Sequence, residues 1–188
     1  MAKAPTTRDA VIPVLAEAFR EHGYEGASMS LLQAASGLGR GSLYNFFPGG
    51  KEEMARAVLD EIGAWFQVHV FAPLRAAASE DRPAAAAAIM TMFDATDAYF
   101  RSGRRACLQG LFAIGRERTR FAAAVDGFFA HWVDALASAL TAAGNPDARA
   151  AALETVAVVQ GAIVLTRALD DETVFRLILH ERRRALTT

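Results

Sequence analysis

Apolar residues recur at helical spacing along nearly the whole chain. Near the start, one such stripe is formed by Ile12, Leu15, Ala16 and Phe19. These residues share one face of a helix with 3.6 residues per turn. No stretch of sequence alternates apolar and polar residues with a period of two, as a half-buried strand would. The pattern therefore predicts an all-α protein.

Glycine and proline divide this pattern into about nine helical pieces. The first three pieces are short and the later ones are long, and the change falls at Pro48-Gly49-Gly50. We therefore predict two domains, residues 1–48 and residues 49–188. Pro13 falls inside the first helix, where a proline costs about 3 kcal/mol, so the sequence leaves the course of the first turns open.

Composition narrows the class of protein. The chain has 188 residues, of which 53% are hydrophobic, and a net charge of -1, which excludes disorder over most of its length. A single cysteine, Cys107, excludes an intrachain disulfide framework and a multi-cysteine zinc site. We see no signal peptide, and the apolar runs are shorter than the roughly 18 residues of a membrane span. We therefore expect a cytoplasmic protein with no membrane segment.

Two short helices joined by a glycine-containing turn are predicted between residues 28 and 47. Ser28 is a good N-cap for the first helix, Gly37-Leu38-Gly39 forms the turn, and the second helix begins at Arg40. Leu43 and Phe47 are four residues apart and face inward together. This arrangement is the sequence form of a helix-turn-helix.

Three linked elements in this region carry a family resemblance. They are Phe19-Arg20-Glu21-His22-Gly23-Tyr24, then the helix-turn-helix with Leu43-Tyr44-Asn45-Phe46-Phe47, then Pro48-Gly49-Gly50-Lys51-Glu52-Glu53. In this order, the segment from Thr7 to Leu59 resembles the DNA-binding domain of TetR/AcrR-type transcriptional repressors. The resemblance implies an N-terminal three-helix helix-turn-helix domain, followed by a helical ligand-binding and dimerisation domain. The chain departs from the family's usual residues at Gln33, Ser36 and Gly39.

A candidate DNA-binding surface follows from the resemblance and from the chemistry of the side chains. Arginine and asparagine can read base edges, while hydroxyl and ammonium groups can bind phosphates. The candidate DNA-binding residues are Ser28, Ser30, Arg40, Gly41, Ser42, Tyr44, Asn45, Phe46 and Lys51. For Gly41, the geometry of the turn is as good an interpretation as contact with DNA. For Phe46, packing against the protein is as good an interpretation as contact with DNA.

The charge of the first 56 residues bears on how DNA would be bound. Six basic residues face six acidic ones: Lys3, Arg8, Arg20, Arg40, Lys51 and Arg56 against Asp9, Glu17, Glu21, Glu25, Glu52 and Glu53. A neutral domain gains little non-specific affinity for phosphates. We therefore expect two copies of the chain to bind one double-stranded operator.

The later helices are dense in aromatic residues, and the resemblance implies a pocket for a small-molecule effector among them. The candidate pocket residues are Trp65, Phe66, His69, Phe93, Phe100, Phe128, His131 and Trp132. The two histidines are the polar side chains of this set that can titrate. For each residue, ordinary packing in the core is the alternative.

The eighth predicted helix is apolar nearly all round, so something beyond its own domain is expected to cover it. With the ninth helix it would form half of a four-helix interface in a homodimer. The candidate interface residues are Leu153, Val156, Val159, Gln160, Ile163, Phe175 and Ile178. A core pair within a monomer is the alternative.

The function implied is that of a ligand-responsive transcriptional repressor, released from its operator by a small apolar or amphipathic molecule. A helical interaction module without DNA binding and a helical-bundle enzyme are the alternatives. A di-metal bundle enzyme needs Glu-x-x-His pairs, and none begins at Glu17, Glu61, Glu117, Glu154 or Glu172. We therefore predict no enzyme activity, no cofactor and no metal. Cys107 adjoins two arginines, which leaves open a redox sensor or an ordinary buried thiol.

Overall fold

The computed structural model describes residues 7–187, which form α-helices, one π-helical turn and one 3-10 turn, with no strand among them. The elements are α1 (Arg8–Gly26), α2 (Met29–Ser36), α3 (Arg40–Phe46), α4 (Gly50–Phe66), the π turn (Gln67–Phe71), α5 (Ala72–Ala77), α6 (Arg82–Phe100), α7 (Leu108–Ile114), the 3-10 turn (Arg116–Thr119), α8 (Ala122–Ala142), α9 (Ala148–Leu169) and α10 (Glu172–Thr187). The α4 helix, the π turn and α5 run on without a break. Counted as one, they leave nine helices in the described part of the chain, so the all-α prediction is confirmed.

The chain separates into two compact units. The first unit contains the chain up to Gly63 together with Leu108–Val125, and the second contains Ala64–Cys107 together with the chain from Asp126 onward. The helix α7 and the 3-10 turn, although they come from the middle of the chain, therefore belong with the N-terminal helices.

The first helix is capped at both ends by features of its sequence. The Oγ1 atom of Thr7 accepts a hydrogen bond of 3.3 Å from the N–H of Ala10, which satisfies one free donor of the first turn. Pro13 lies on the exposed face, and the helix continues through it. Gly23 has φ 66° and ψ 174°, a conformation that side chains with a Cβ rarely adopt. The regular helix therefore breaks at Gly23.

The core of the first unit joins α1, α2 and α3 to α7. Phe19, Leu32, Leu43 and Phe47 are fully buried. From the α7 segment, the ring of Phe112 packs 6.4 Å from that of Phe19 in an edge-to-face arrangement. The helix-turn-helix is thus held from inside by apolar side chains on every helix that contributes to it.

The helices α9 and α10 form a hairpin in the second unit. Asp170 has φ 51° and turns the chain between them. Arg182 of α10 donates hydrogen bonds of 2.9 Å to the Oγ1 of Thr155 and 2.8 Å to the carbonyl oxygen of Ala151, and it forms an ion pair with Glu154 at 2.9 Å. Arg182 therefore joins the two helices of the hairpin.

Within the described residues, α9 is the one helix that is long and apolar enough to cross a membrane by length and composition. Its apolar stretch is longer than the sequence suggests. A third of that stretch is buried inside the protein, and long apolar helices are also found in the cores and interfaces of soluble proteins.

Candidate functional site

The turn between α2 and α3 is built from local hydrogen bonds. Ser28 caps α2 by accepting a bond of 3.2 Å from the N–H of Leu31. At the other end, Gly37 is left-handed, with φ 68° and ψ 12°, and its N–H bonds to the carbonyl of Gln33 at 2.9 Å. The two caps fix the length of α2 and therefore the point at which the chain turns.

Ser36 also holds this turn together, which the sequence analysis does not predict. Its buried hydroxyl donates to the carbonyl oxygen of Leu32 at 2.7 Å and accepts from the N–H of Leu38 at 3.3 Å. A departure from the usual family residue thus provides two hydrogen bonds within the motif.

The helix α3 has one buried side and one exposed side. Leu43 is fully buried, and Phe47, which follows the helix, is buried as well. The predicted DNA-binding residues of α3 that are exposed are Arg40, Gly41, Ser42, Tyr44 and Asn45. Phe46 is half-buried, and Ser28 and Ser30 are exposed at the start of α2. Most of the predicted set is therefore accessible at the protein surface.

Two neighbours support Tyr44 on this surface. The guanidinium carbon of Arg40 lies 5.5 Å from the centre of the Tyr44 ring, one helical turn away. On another side is Gly50, whose φ is 65°, and a Cβ there would lie 3.5 Å from Cε1 of Tyr44. Arg40 and Gly50 therefore hold the ring of Tyr44 in place, while the residue remains exposed.

Lys51 differs from the other predicted phosphate contacts because its ammonium already has a partner inside the protein. It is half-buried, donates a hydrogen bond of 2.8 Å to the carbonyl oxygen of Tyr24, and lies 4.4 Å from the centre of the Tyr24 ring. An ammonium has three donors, so this bond leaves others for a phosphate.

A cluster of charged side chains, Glu52, Arg56 and Arg120, lies beside the contact between Lys51 and Tyr24. Glu52 pairs with Arg56 at 2.7 Å and with Arg120 at 3.0 Å. The hydrogen bonds from Arg56 and then Arg120 hold the pKa of Glu52 below its usual value. Burial raises the pKa of Tyr24, against the effect of Arg120. Glu52 therefore ties α4 to the segment that follows α7.

Five of the predicted effector residues form a closely packed aromatic cluster in the second unit, namely Trp65, Phe66, Phe100, Phe128 and Trp132. Phe66, Phe100 and Trp132 are fully buried, and Phe93 and Phe128 nearly so. The ring of Phe66 is at the centre, 4.9 Å from that of Phe128 and 5.2 Å from that of Trp132. Trp65 is half-buried at the edge of the cluster. The rings of these five cluster residues therefore pack against one another.

His69 and His131, which the sequence predicts as polar groups of the effector pocket, are exposed. After Phe66 the chain makes the π turn, and its extra residue moves the buried positions from His69 to Val70 and Phe71. His131 directly precedes the buried Trp132 and therefore lies about 100° around α8 from it.

Two clefts open at the surface of the second unit. One, of about 380 Å³, is lined by Arg104, Thr166, Arg167, Asp170, Asp171 and Glu172. The other, of about 190 Å³, is lined by Phe93, Asp94, Asp97, Arg176, Leu179, His180 and Arg183. Of the predicted pocket residues, only Phe93 lines either cleft.

The predicted dimer-interface residues divide into two groups. Val156, Val159, Ile163 and Phe175 are buried within their own subunit. Leu153 is exposed, and Gln160 and Ile178 are half-buried. The sequence could not separate these groups, because α9 is apolar on almost every side. The exposed apolar residues of α9 and α10 are Leu153, Val164, Leu165, Leu169 and Leu177.

Cys107 is buried, at 5% exposure, which is typical of a structural thiol. Within residues 7–187 no group of three or more histidine, cysteine, aspartate or glutamate side chains is placed to hold a metal ion.

The chain has an exposed polar helix within a helix-turn-helix, followed in sequence by a larger helical unit. This arrangement is typical of DNA-binding transcriptional regulators. Residues 13–58 match the family described as bacterial regulatory proteins, tetR family. Residues 83–181, more than half of the chain, match the C-terminal domain of LmrA/YxaF-like transcriptional regulators. The chain therefore belongs to the TetR family of transcriptional regulators.

Solved structures of similar fold agree with this assignment. A TetR regulator from Legionella pneumophila has a TM-score of 0.76 at 22% identity, covering 98% of this chain and 99% of that one. A regulator from Chloroflexus aurantiacus has a TM-score of 0.78 at 23% identity, covering 100% of this chain and 98% of that one. The regulator CifR, a cysteine mutant described as complexed with 26-bp operator DNA, has a TM-score of 0.75 at 22% identity, covering 97% and 99%. Among curated proteins, no sequence gives a significant match.

Proposed function

We propose that this regulator is a repressor that binds operator DNA as a homodimer and is released by a small apolar or amphipathic molecule. The observation that supports it most directly is the two-sided α3 helix. Leu43 anchors that helix in the core, while Arg40, Tyr44 and Asn45 remain exposed on its outer side. A short helix exposed in this way suits the major groove.

The contacts to DNA would divide into two kinds. Arg40 and Asn45 have the donor patterns that recognise guanine and adenine edges. Ser28, Ser42 and Tyr44 offer hydroxyls to phosphates, and these contacts set affinity more than sequence preference. At Gly41, a Cβ would meet nothing within 4 Å inside the protein, so internal packing does not require glycine there. Close approach of the DNA backbone to α3 would require glycine at this position.

A second copy of the chain would cover the exposed side of α9. Leu153, Ala157, Gly161, Val164 and Leu165 are all exposed, and their spacing puts them on one helical face. Alanine and glycine in the middle of this face would let two helices approach closely. The same surface on each subunit would meet across a two-fold axis, and the operator would then be roughly palindromic.

The effector would bind in the aromatic core of the second unit. The buried rings there are suited to an apolar or amphipathic molecule, whereas the exposed histidines have no part in it. Regulators of this family are soluble DNA-binding proteins rather than enzymes, so we infer a cytoplasmic location and no catalytic role.

A gel shift with DNA from the region upstream of the chain's own gene tests the proposal. We expect the full-length protein to shift this DNA as a dimer, and expect at least one apolar molecule from a small-molecule panel to release it. Failure to shift this DNA, or any DNA selected from a random pool, would favour a helical interaction module instead. Specific binding that increased with the molecule would contradict release by the effector.

A further inference from the structure

Several buried polar groups of the second unit have no hydrogen-bond partner among the described residues, and two of them are donors on α6 and α8. They are the hydroxyl of Thr96 and the indole N–H of Trp132, and both side chains are fully buried. Buried polar groups in folded proteins are nearly always paired. An unpaired donor in the core therefore marks a position where a partner of another kind fits.

The hydroxyl of Thr96, like that of Thr166 on α9, lacks the bond that a helical hydroxyl usually makes. Hydroxyls on helices commonly donate to the carbonyl oxygen four residues earlier. Here that bond is made by Thr91, Ser138, Thr141 and Thr155, at 2.7–3.0 Å. Thr96, also within a helix, makes no such bond.

The ring of Phe66 packs against the indole of Trp132 and against two aromatic residues on the side of α6 that carries Thr96. Thr96 precedes Tyr99 and Phe100 by three and four residues, so the three residues share one side of α6. The ring of Phe66 is 4.8 Å from that of Tyr99 and 5.9 Å from that of Phe100. It is also 5.2 Å from the ring of Trp132. Phe66 therefore contacts both the helix side that carries the hydroxyl and the indole that carries the N–H.

The backbone next to Phe66 is suited to rearrangement. Phe66 is the last residue of α4, and the π turn from Gln67 to Phe71 follows it directly. Single π turns within α-helices are less stable than the helix around them and frequently lie at functional sites. A change to α-helical bonding there would shift the register by one residue and rotate Phe66 by about 100° against the residues that follow.

We propose that Phe66 fills the effector site in this structure, and that the effector is an aromatic molecule with a hydrogen-bond acceptor such as a carbonyl. The aromatic ring takes the place of the Phe66 side chain. The acceptor receives the N–H of Trp132, and the Thr96 hydroxyl is the second donor. Phe66 meets the rings of Tyr99 and Phe128 edge to face, at 73° and 74°, so a flat ring in its place meets them in the same way. The inference rests on the proposed effector response.

The variant Phe66→Ala tests this directly, because it opens a space of the size of one benzyl group. Acetophenone and α-methylstyrene are the probes, since they have the same shape and only the former has a carbonyl acceptor. Calorimetry should show that acetophenone binds about tenfold more tightly, as one hydrogen bond to a buried donor implies. Equal affinity for the two probes, or no binding of either by the folded variant, would overturn the proposal.

Two further substitutions assign the preference to its donors. In Phe66→Ala/Trp132→Phe the carbonyl preference should fall to about twofold or less, because the N–H is lost. In Phe66→Ala/Thr96→Val, which keeps the side-chain shape, it should fall by a smaller factor. A tenfold preference that survived both changes would move the acceptor site elsewhere.

A measurement on the wild-type protein covers the case in which Phe66→Ala fails to fold. The chain has two tryptophans, so the NMR spectrum has two indole N–H resonances, which the variant Trp65→Phe assigns. Acetophenone should shift the Trp132 resonance downfield, and α-methylstyrene should do so much less. A Trp132 resonance that did not move at the solubility limit of acetophenone would contradict the proposal.

Operator binding measured in parallel separates this inference from the proposed function. A shift of the Trp132 resonance without release of DNA would support the binding site and contradict the proposed effector response. Release of DNA by aromatic carbonyl compounds without any shift of the Trp132 resonance would support the effector response and contradict this binding site.

Discussion

The Nζ atom of Lys51 lies 2.8 Å from the carbonyl oxygen of Tyr24 and donates a hydrogen bond to it. Lys51 lies in the first turn of α4, and Tyr24 directly follows the break at Gly23 near the end of α1. The bond therefore joins two helices that flank the helix-turn-helix in sequence. A side chain that the sequence predicts to bind phosphate also has a structural role.

Replacing Lys51 with alanine should destabilise the first unit. The variant loses a half-buried hydrogen bond and a cation–π contact, which together contribute about 1–2 kcal/mol. Urea unfolding of the full chain should show this decrease. Arg40→Ala, a change at an exposed position, is the control and should alter stability by less than about 0.5 kcal/mol. Unchanged stability of Lys51→Ala would mean that the bond to Tyr24 contributes nothing.

The variant Tyr44→Phe should weaken binding to all DNA sequences by a similar factor. It keeps the ring against Arg40 and Gly50 and removes only the hydroxyl, so the loss should be about 5- to 10-fold, equivalent to one hydrogen bond. Fluorescence anisotropy with operator and unrelated DNA gives both affinities. Tyr99→Phe, in the second unit, is the matched control and should bind as the wild type does. A loss confined to the operator would make Tyr44 a base-reading residue.

Charge substitutions on the two sides of α9 should have different effects. Val164→Glu puts a charge on the exposed side, where it should yield a folded monomer. Val159→Glu buries a charge inside the subunit and should unfold the protein, because a buried unpaired charge is strongly destabilising. Light scattering reports the oligomeric state and circular dichroism the folding. If Val164→Glu were a folded dimer, the interface would not include the exposed side of α9. If the wild type were a monomer, the proposed dimer would be contradicted.

The stability of the protein should decrease in acid partly through Glu52. Its folded pKa is lowered, with the bond from Arg56 as the largest cause, so its contribution is complete above the usual pKa of 4.5 and is lost as the pH falls through the lower, folded value. Glu52→Gln lacks this titration. The difference in unfolding free energy between wild type and variant should therefore shrink below about pH 4.5. A constant difference down to pH 3 would exclude the effect.

The sequence is informative about the helix-turn-helix because the determinants there are local. The Ser28 cap and the left-handed Gly37 each act within a few residues. Leu43 lies in α3 and Phe47 directly follows it, so their inward direction follows from a spacing of four residues. The accessible side of α3 could therefore be predicted without a structure.

The later helices are less predictable because their apolar residues surround the helix. Along α9, the residues that face the subunit and those that face outward have the same chemistry, and Val159 and Val164 differ only in burial. The burial pattern after Phe66 is hard to predict for another reason, since a π turn has no clear sequence signal and moves the positions that follow it. The contact between Lys51 and Tyr24 joins residues 27 positions apart, beyond the range of local patterns.

The measurement that tests the account most directly is the DNA sequence preference of the wild type, Arg40→Ala and Asn45→Ala, each selected from a random pool. The wild type should enrich a roughly palindromic site, and each variant should lose preference at one symmetric pair of positions, worth about 1–3 kcal/mol of discrimination. Both variants should remain folded, since both positions are exposed. Unchanged preferences in both variants would move base reading away from α3, and no enrichment by the wild type would contradict sequence-specific DNA binding by this chain.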